Sequence, residues 1–207
     1  MRNSHPVTCN TYKAIVIGAS AGGMNALKTI LSALPSNFAL SVIIVMHRHK
    51  DTDGYLERSL DNECKMCVKQ ADEKEEIRGG VVYVAPPNYH LLIEDNGTFS
   101  MSVEGVVNYA RPSVDVFFES AADVYGRRLI GIILTGANND GSQGLRKIKK
   151  AGGLTIVQSP ETSEVTDMPE AAIEAVKPDY VLSLENIGSF LRLSLENLKV
   201  KDKSSII

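Results

Sequence analysis

The stretch Ala14-Ile15-Val16-Ile17-Gly18-Ala19-Ser20-Ala21-Gly22-Gly23 constrains this chain more than any other. A β-branched apolar run feeds a serine set among small residues, and a helical pattern begins at once. Gly18-Ala19-Ser20-Ala21-Gly22 has the G-x-S-x-G spacing of a nucleophile elbow. Small neighbours let the backbone turn sharply from strand into helix, so the serine hydroxyl stands clear of it. The same turn aims the first helical N–H groups at any negative charge that develops beside the serine.

Periodicity extends the pattern. The spacing predicts a helix over 23–34 with Met24, Leu27, Ile30, Leu31 and Leu34 on one face, stopped by Pro35. The continuous apolar run 40–46 predicts a strand buried on both faces. A helix over 54–62 and a strand over 81–85 follow. Residues 91–93 and 99–103 flank Asp95-Asn96-Gly97, a hairpin signal. Ser113 caps a helix reaching residue 125. Strands at 129–134, 154–158 and 180–184 then alternate with helices at 142–151, 169–175 and 186–198. This alternation predicts an α/β fold: a doubly wound, mostly parallel sheet, helices on both faces, and a small antiparallel hairpin. One domain over 13–198 is expected, preceded by an arm over 1–12 and followed by a polar tail over 199–207.

Composition narrows the partners. The 207 residues are 43% hydrophobic and 23% charged, ordinary for a globular domain with a real core. With 22 basic and 25 acidic residues, the net charge of −3 favours neither nucleic acid nor anionic lipid. The apolar runs fall far short of a membrane span, and the N-terminus carries no signal-peptide pattern, so no membrane insertion is expected. Three cysteines, an odd count in a chain of this size, fit a reducing compartment, and a cytoplasmic location is expected.

Three strand ends carry unusual residues: Ser20 after the first, His47 after the second, and Asp140 within the loop that follows 129–134. In a parallel sheet these loops share one edge, where sites form. Serine, imidazole and carboxylate meeting there suggest nucleophile, general base and base-orienting acid. Each has a plainer alternative. A strand-end histidine can be structural, Asp140 can cap the helix that begins near Ser142, and Asn139-Asp140-Gly141 can be a simple turn. A dinucleotide site needs a further glycine where Ser20 or Ala21 stands, and a P-loop needs Lys where Met24 follows Gly23. Cys64-x-x-Cys67 has neither a second Cys pair nor a spaced His pair beside it, so a metal or redox role is disfavoured.

Taken in order, Ile17 to Gly23, His47, Ala85-Pro86 with His90, Arg111-Pro112-Ser113-Val114-Asp115, Leu134-Thr135-Gly136 through Asn139-Asp140-Gly141, and Met168-Pro169 carry a family signature. The chain from Lys13 to about Leu198 resembles the catalytic domain of the chemotaxis protein-glutamate methylesterases, the CheB family. The resemblance implies a Ser20–His47–Asp140 triad, with the oxyanion on the main-chain N–H groups of Ala21 and Ala137. It implies no cofactor. The substrate would be glutamyl methyl esters on the cytoplasmic helices of methyl-accepting chemoreceptors, with deamidation of receptor glutamines as a second activity. Arg111 is expected to hold acidic receptor surface or, equally, to make a salt bridge at the start of its helix.

The chain departs from the family pattern in places. Ala21 replaces the usual Thr, Met46 a Gln, Ala137 a Met and Asn138 a Gly. A backbone donor survives such changes, and Asn tolerates positive φ nearly as Gly does. His47-Arg48-His49 is also unusual and makes His49 a fallback base. Only about a dozen residues precede the first strand, so a separate receiver-type regulator or constitutive activity is expected. Two rivals share the fold: a signalling or binding module with weakened turnover, and a small-ester hydrolase.

Overall fold

A computed structural model describes residues 12–48 and 54–202. Its centre is a seven-stranded sheet in the order β3-β4-β2-β1-β7-β8-β9, parallel throughout. The strands are β1 (Ala14–Ala19), β2 (Ser41–Met46), β3 (Cys67–Gln70), β4 (Val81–Val84), β7 (Leu129–Ile133), β8 (Leu154–Gln158) and β9 (Tyr180–Leu182). A separate antiparallel pair, β5 (His90–Ile93) and β6 (Phe99–Ser102), forms the expected hairpin. The α/β doubly wound fold read from the pattern is the fold observed.

Among the described residues, six α-helices cover the sheet: α1 (Gly23–Ser32), α2 (Tyr55–Asp61), α3 (Val114–Tyr125), α4 (Ser142–Lys150), α5 (Asp167–Val176) and α6 (Leu184–Asp202). Side chains alternate across each strand, so every central strand feeds two cores. Ile15 and Ile17 join Leu27, Ile30 and Leu31 of α1, Leu60 of α2 and Ile187 of α6. Val16 faces the other way, with Val114, Phe117 and Phe118 of α3, Leu145 and Ile148 of α4, and Ala172 of α5. The hairpin packs on this second side through Leu91, Ile93 and Phe99.

The connectivity positions the site. From β1 the chain winds outward through β2 towards β4 and β3, then returns to add β7, β8 and β9 on the other side. The winding direction therefore reverses between β1 and β7, and a crevice opens beyond the carboxyl ends of those strands. Ser20 follows β1 and Asp140 follows β7, on the two sides of this reversal.

Several boundaries differ from expectation. Strand β3 has no counterpart in the expected elements; it is a sheet-edge strand in which Val68 alone is buried, too short to print an apolar run. Helix α5 starts two residues early, at Asp167, and β9 ends at Leu182. Helix α6 runs through Asp202, four residues into the segment read as polar tail. Tyr12, assigned to the arm, packs against the first core; the rest of the arm lies outside the described residues.

Candidate active site

The strand register brings the three loops together. Ala19 lies opposite Met46, so Ser20 and His47 are the next residues on adjacent strands. The His47 N–H donates to Ala19 O at 3.2 Å, and the Ser20 N–H donates to Thr135 O at 3.0 Å. The Ala19–Ser20 peptide unit is thereby tied to both neighbouring loops. Below it, Gly136 leaves no room for a side chain: a Cβ there would run into Met168 Sδ and stand 2.8 Å from Ser20 Cβ. Buried Met168 thus supports the floor of the serine turn. The Thr135 hydroxyl adds a clasp, donating to Ala21 O at 2.9 Å and accepting the Val165 N–H at 2.9 Å.

His47 Nε2 donates to Asp140 Oδ2 at 2.7 Å. Asp140 is 1% exposed, yet it is among the best-satisfied carboxylates of the molecule. Its oxygens also accept the Val114 N–H at 2.7 Å, the Asp115 N–H at 3.1 Å, the Ser113 hydroxyl at 2.8 Å and Asn108 Nδ2 at 3.1 Å. Burial pushes its pKa up, but bonds from His47, Val114, Asp115 and Asn108 more than offset it, and Asp140 titrates below the ordinary range. The donors from Val114 and Asp115 are the open N–H groups of the first turn of α3, whose dipole also favours a negative charge. The plainer alternative, in which Asp140 caps the helix following it, does not hold. Asp140 caps α3, while α4 has the side-chain-less Gly141 at its N-cap.

The open end of α4 is served from the opposite direction. Asp115, on the first turn of α3, accepts the Gly144 N–H at 2.7 Å. The two helices therefore exchange carboxylates, each capping the other. Asn108 Nδ2 bridges them, 2.9 Å from Asp115 Oδ2. Burial, with the charge of Asp140 adding to it, raises the pKa of Asp115. Buried His90 completes the support: its Nδ1 accepts the Ser113 N–H at 3.2 Å and its Nε2 donates to Gly105 O at 3.0 Å.

The tautomer of His47 follows from its partners. Nε2 faces a carboxylate and must carry the proton. Nδ1 lies 3.2 Å from Asn138 Nδ2, a donor, and so presents its lone pair. The Asn138 amide is oriented by its Oδ1, which accepts the Asp140 N–H at 3.0 Å. Asn138 stands outside the positive-φ region, so the conformational tolerance that would let Asn replace Gly is not drawn upon. Ser20 makes no side-chain hydrogen bond among the described residues, and His49, the fallback base, lies outside them.

The Ala21 and Ala137 N–H groups, expected as oxyanion donors, donate to no acceptor among the described residues. Their neighbours are committed: the Thr135 N–H to Gln158 Oε1 at 2.9 Å, the Gly136 N–H to Val165 O at 3.2 Å. Beside His47 a cleft of ≈ 590 Å³ is lined by Arg48, Asn88, Tyr109, Arg111 and Asn138. Tyr109 is fully exposed on its rim. The helix-entry salt bridge expected of Arg111 as one alternative is not formed. No carboxylate pairs with it among the described residues; its guanidinium donates to Val103 O, Glu104 O and Asn88 Oδ1 at 2.7–2.8 Å, fixing the cleft wall.

Several contributors escaped sequence reasoning. Arg48 forms an ion pair with Glu57 of α2 at 2.8 Å and donates to Ala85 O at 2.8 Å, anchoring the chain beside His47. Asn108 carried no signal, being one polar loop residue among many. Ser113 was legible as a cap, which it is through the Val116 N–H, but its hydroxyl also reaches Asp140. Cys64 is half-buried and Cys67 exposed, and no cluster of three metal-ligating side chains occurs among the described residues. Nor is any helix among them long and apolar enough to cross a membrane.

Comparison with known proteins bears on this rim. The family model described as CheB methylesterase matches residues 15–191. A putative protein-glutamate methylesterase/protein-glutamine glutaminase of Leptospira interrogans serovar copenhageni is 57% identical over 189 residues, covering 91% of this chain and 98% of its own length. A protein-glutamate methylesterase/protein-glutamine glutaminase of Pyrococcus abyssi is 35% identical, covering 90% of this chain; the chain spans 51% of that longer relative. The crystal structure of the Thermotoga maritima CheB methylesterase catalytic domain superposes with a TM-score of 0.85 at 36% identity, covering 88% of this chain and 98% of that domain.

Proposed function

Because the chain belongs to the CheB methylesterase family, we propose that it hydrolyses glutamyl methyl esters on the cytoplasmic helices of methyl-accepting chemoreceptors, and deamidates glutamines there. The reaction needs Ser20 as nucleophile, His47 as base and Asp140 as the orienting carboxylate. The observation that carries this reading is the 2.7 Å bond from His47 Nε2 to a buried, ionised Asp140 on the rim where the serine turn ends.

The chemistry follows from the protonation states. With Nε2–H committed to Asp140, Nδ1 is the ring nitrogen left to act as base. Ser20 Oγ attacks the ester carbonyl carbon as its proton passes to His47 Nδ1. The oxyanion of the tetrahedral intermediate takes hydrogen bonds from the Ala21 and Ala137 N–H groups, each worth about 3–4 kcal/mol in the transition state. Asp140 stabilises the imidazolium without taking its proton. That proton then leaves with the methoxy oxygen as methanol; for an amide it leaves with ammonia. Water attacks the acyl-enzyme with His47 again as base, releasing glutamate and free Ser20. The Arg111-pinned wall beside His47 would hold the receptor helix.

Methanol release from methylated receptor, wild type beside Ser20→Ala, tests the proposal. Wild-type turnover with none in the variant is expected, and equal release from both refutes the nucleophile. Labelling by a fluorophosphonate separates the hydrolase from a binding module of the same fold, since an inert serine decides for the latter.

A further inference from the structure

An imidazole nitrogen has one lone pair, and in this molecule the lone pair that Ser20 requires is already occupied. Asn138 Nδ2 sits 3.2 Å from His47 Nδ1, and Asn138 Oδ1 holds the Asp140 N–H at 3.0 Å. One side chain thus spans from the backbone of the orienting acid to the working nitrogen of the base. We propose that Asn138 is a restraining residue that competes with the Ser20 hydroxyl for His47 Nδ1 and so sets how readily the serine is activated. This rests on the hydrolase reading given above.

The physical consequences run in two directions. By donating to Nδ1, the amide locks the tautomer in which Nε2–H faces Asp140, the form that can accept a proton. It must nevertheless turn away before Ser20 can donate, breaking its bond to His47 and disturbing the one to Asp140. Exchanging one neutral hydrogen bond for another is a modest barrier, so the restraint slows serine activation by about three- to tenfold. The neighbouring Ala137 N–H is free, so movement of the Asn138 side chain leaves the expected oxyanion donor in place. A substrate that offers its own acceptor to the Asn138 amide would draw it off His47 and relieve the restraint on binding.

Substitution distinguishes this role from simple packing, because two changes of similar size act oppositely. Asn138→Ala and Asn138→Gly free the lone pair, and fluorophosphonate labelling of Ser20 should become about three- to tenfold faster. Asn138→Asp offers an acceptor in place of a donor and draws a proton onto Nδ1, so labelling should slow below wild type. Imidazole ¹⁵N NMR provides a second readout: Nδ1 should shift towards the free lone-pair position in Asn138→Ala, with Nε2 unchanged. Labelling of Asn138→Ala and Asn138→Gly at or below the wild-type rate, in variants that keep the wild-type Tm, overturns the proposal. So does an unmoved Nδ1 resonance. Ser20 left unlabelled in every protein, wild type included, overturns the hydrolase reading and this proposal with it. Faster labelling of the Ala and Gly variants with slower labelling of Asp, beside unchanged methanol release in Ser20→Ala, would instead keep the restraint and move the esterase activity elsewhere.

Discussion

The two sides of the crevice are built on opposite terms. On the β7 side, Asp140 is sealed from solvent and accepts five hydrogen bonds. On the β1 side, the Ser20 hydroxyl and the Ala21 N–H are without partners among the described residues, held in place by the backbone around them and the Thr135 clasp on Ala21 O. One side stabilises a charge that is permanent; the other leaves donors open for a charge that exists only during reaction. Preorganisation therefore looks different at the two ends. It is saturation for the resident carboxylate and vacancy for the visiting oxyanion.

Substitutions can break this contrast. Ser20→Ala should cost about 10⁴–10⁶ in kcat while shifting stability by less than ~0.5 kcal/mol, measured by methanol release beside chemical denaturation. Asp140→Asn should cost about 10³–10⁴ in kcat through the wrong imidazole tautomer. It should also destabilise the fold by ~2–4 kcal/mol, because an amide NH₂ replaces an acceptor beside the first-turn donors of α3. A destabilised Ser20→Ala, or an Asp140→Asn of wild-type stability, would erase the distinction. Gly136→Ala drives a methyl into Met168 and Ser20, with an expected loss of ~1–3 kcal/mol and reduced labelling of Ser20.

The smallest effect is in pH. Asp140 titrates below its ordinary value, so its contribution to stability is complete above the unfolded-state value of about 4 and fades only as pH falls through its lowered folded value. Asp115 is raised, so its ionised form costs stability, and acidification through its folded value relieves that cost. Carboxyl ¹³C titration should therefore show Asp115 taking up its proton before Asp140, with the His47–Asp140 bond outlasting the first event. The reverse order would mean that Asn108 and the α3 amides stabilise Asp140 less than their geometry indicates.

Much of the frame was legible because parallel strands buried on both faces print continuous apolar runs, as at Val42 to Val45 and Leu129 to Leu134. The strand-end positions of Ser20, His47 and Asp140 came with that frame. Edge strand β3 was not legible, since a strand with a single buried side chain has no periodicity to read. The capping duty of Asp140, beside its bond to His47, was hidden for a different reason. A cap is usually sought on the helix next in sequence, whereas this one serves a helix 26 residues upstream at Val114. Asn108, His90 and the Arg48–Glu57 pair act through contacts that only the folded chain creates.

The crossed capping of α3 and α4 carries a lesson for judging relatives. An aspartate that anchors a helix start would be retained by a descendant that had abandoned hydrolysis altogether, since losing it would leave the first turn of α3 uncapped. Its presence in a homologous chain therefore testifies to architecture. The residue whose disappearance would mark a retired enzyme is the serine, on which nothing structural leans.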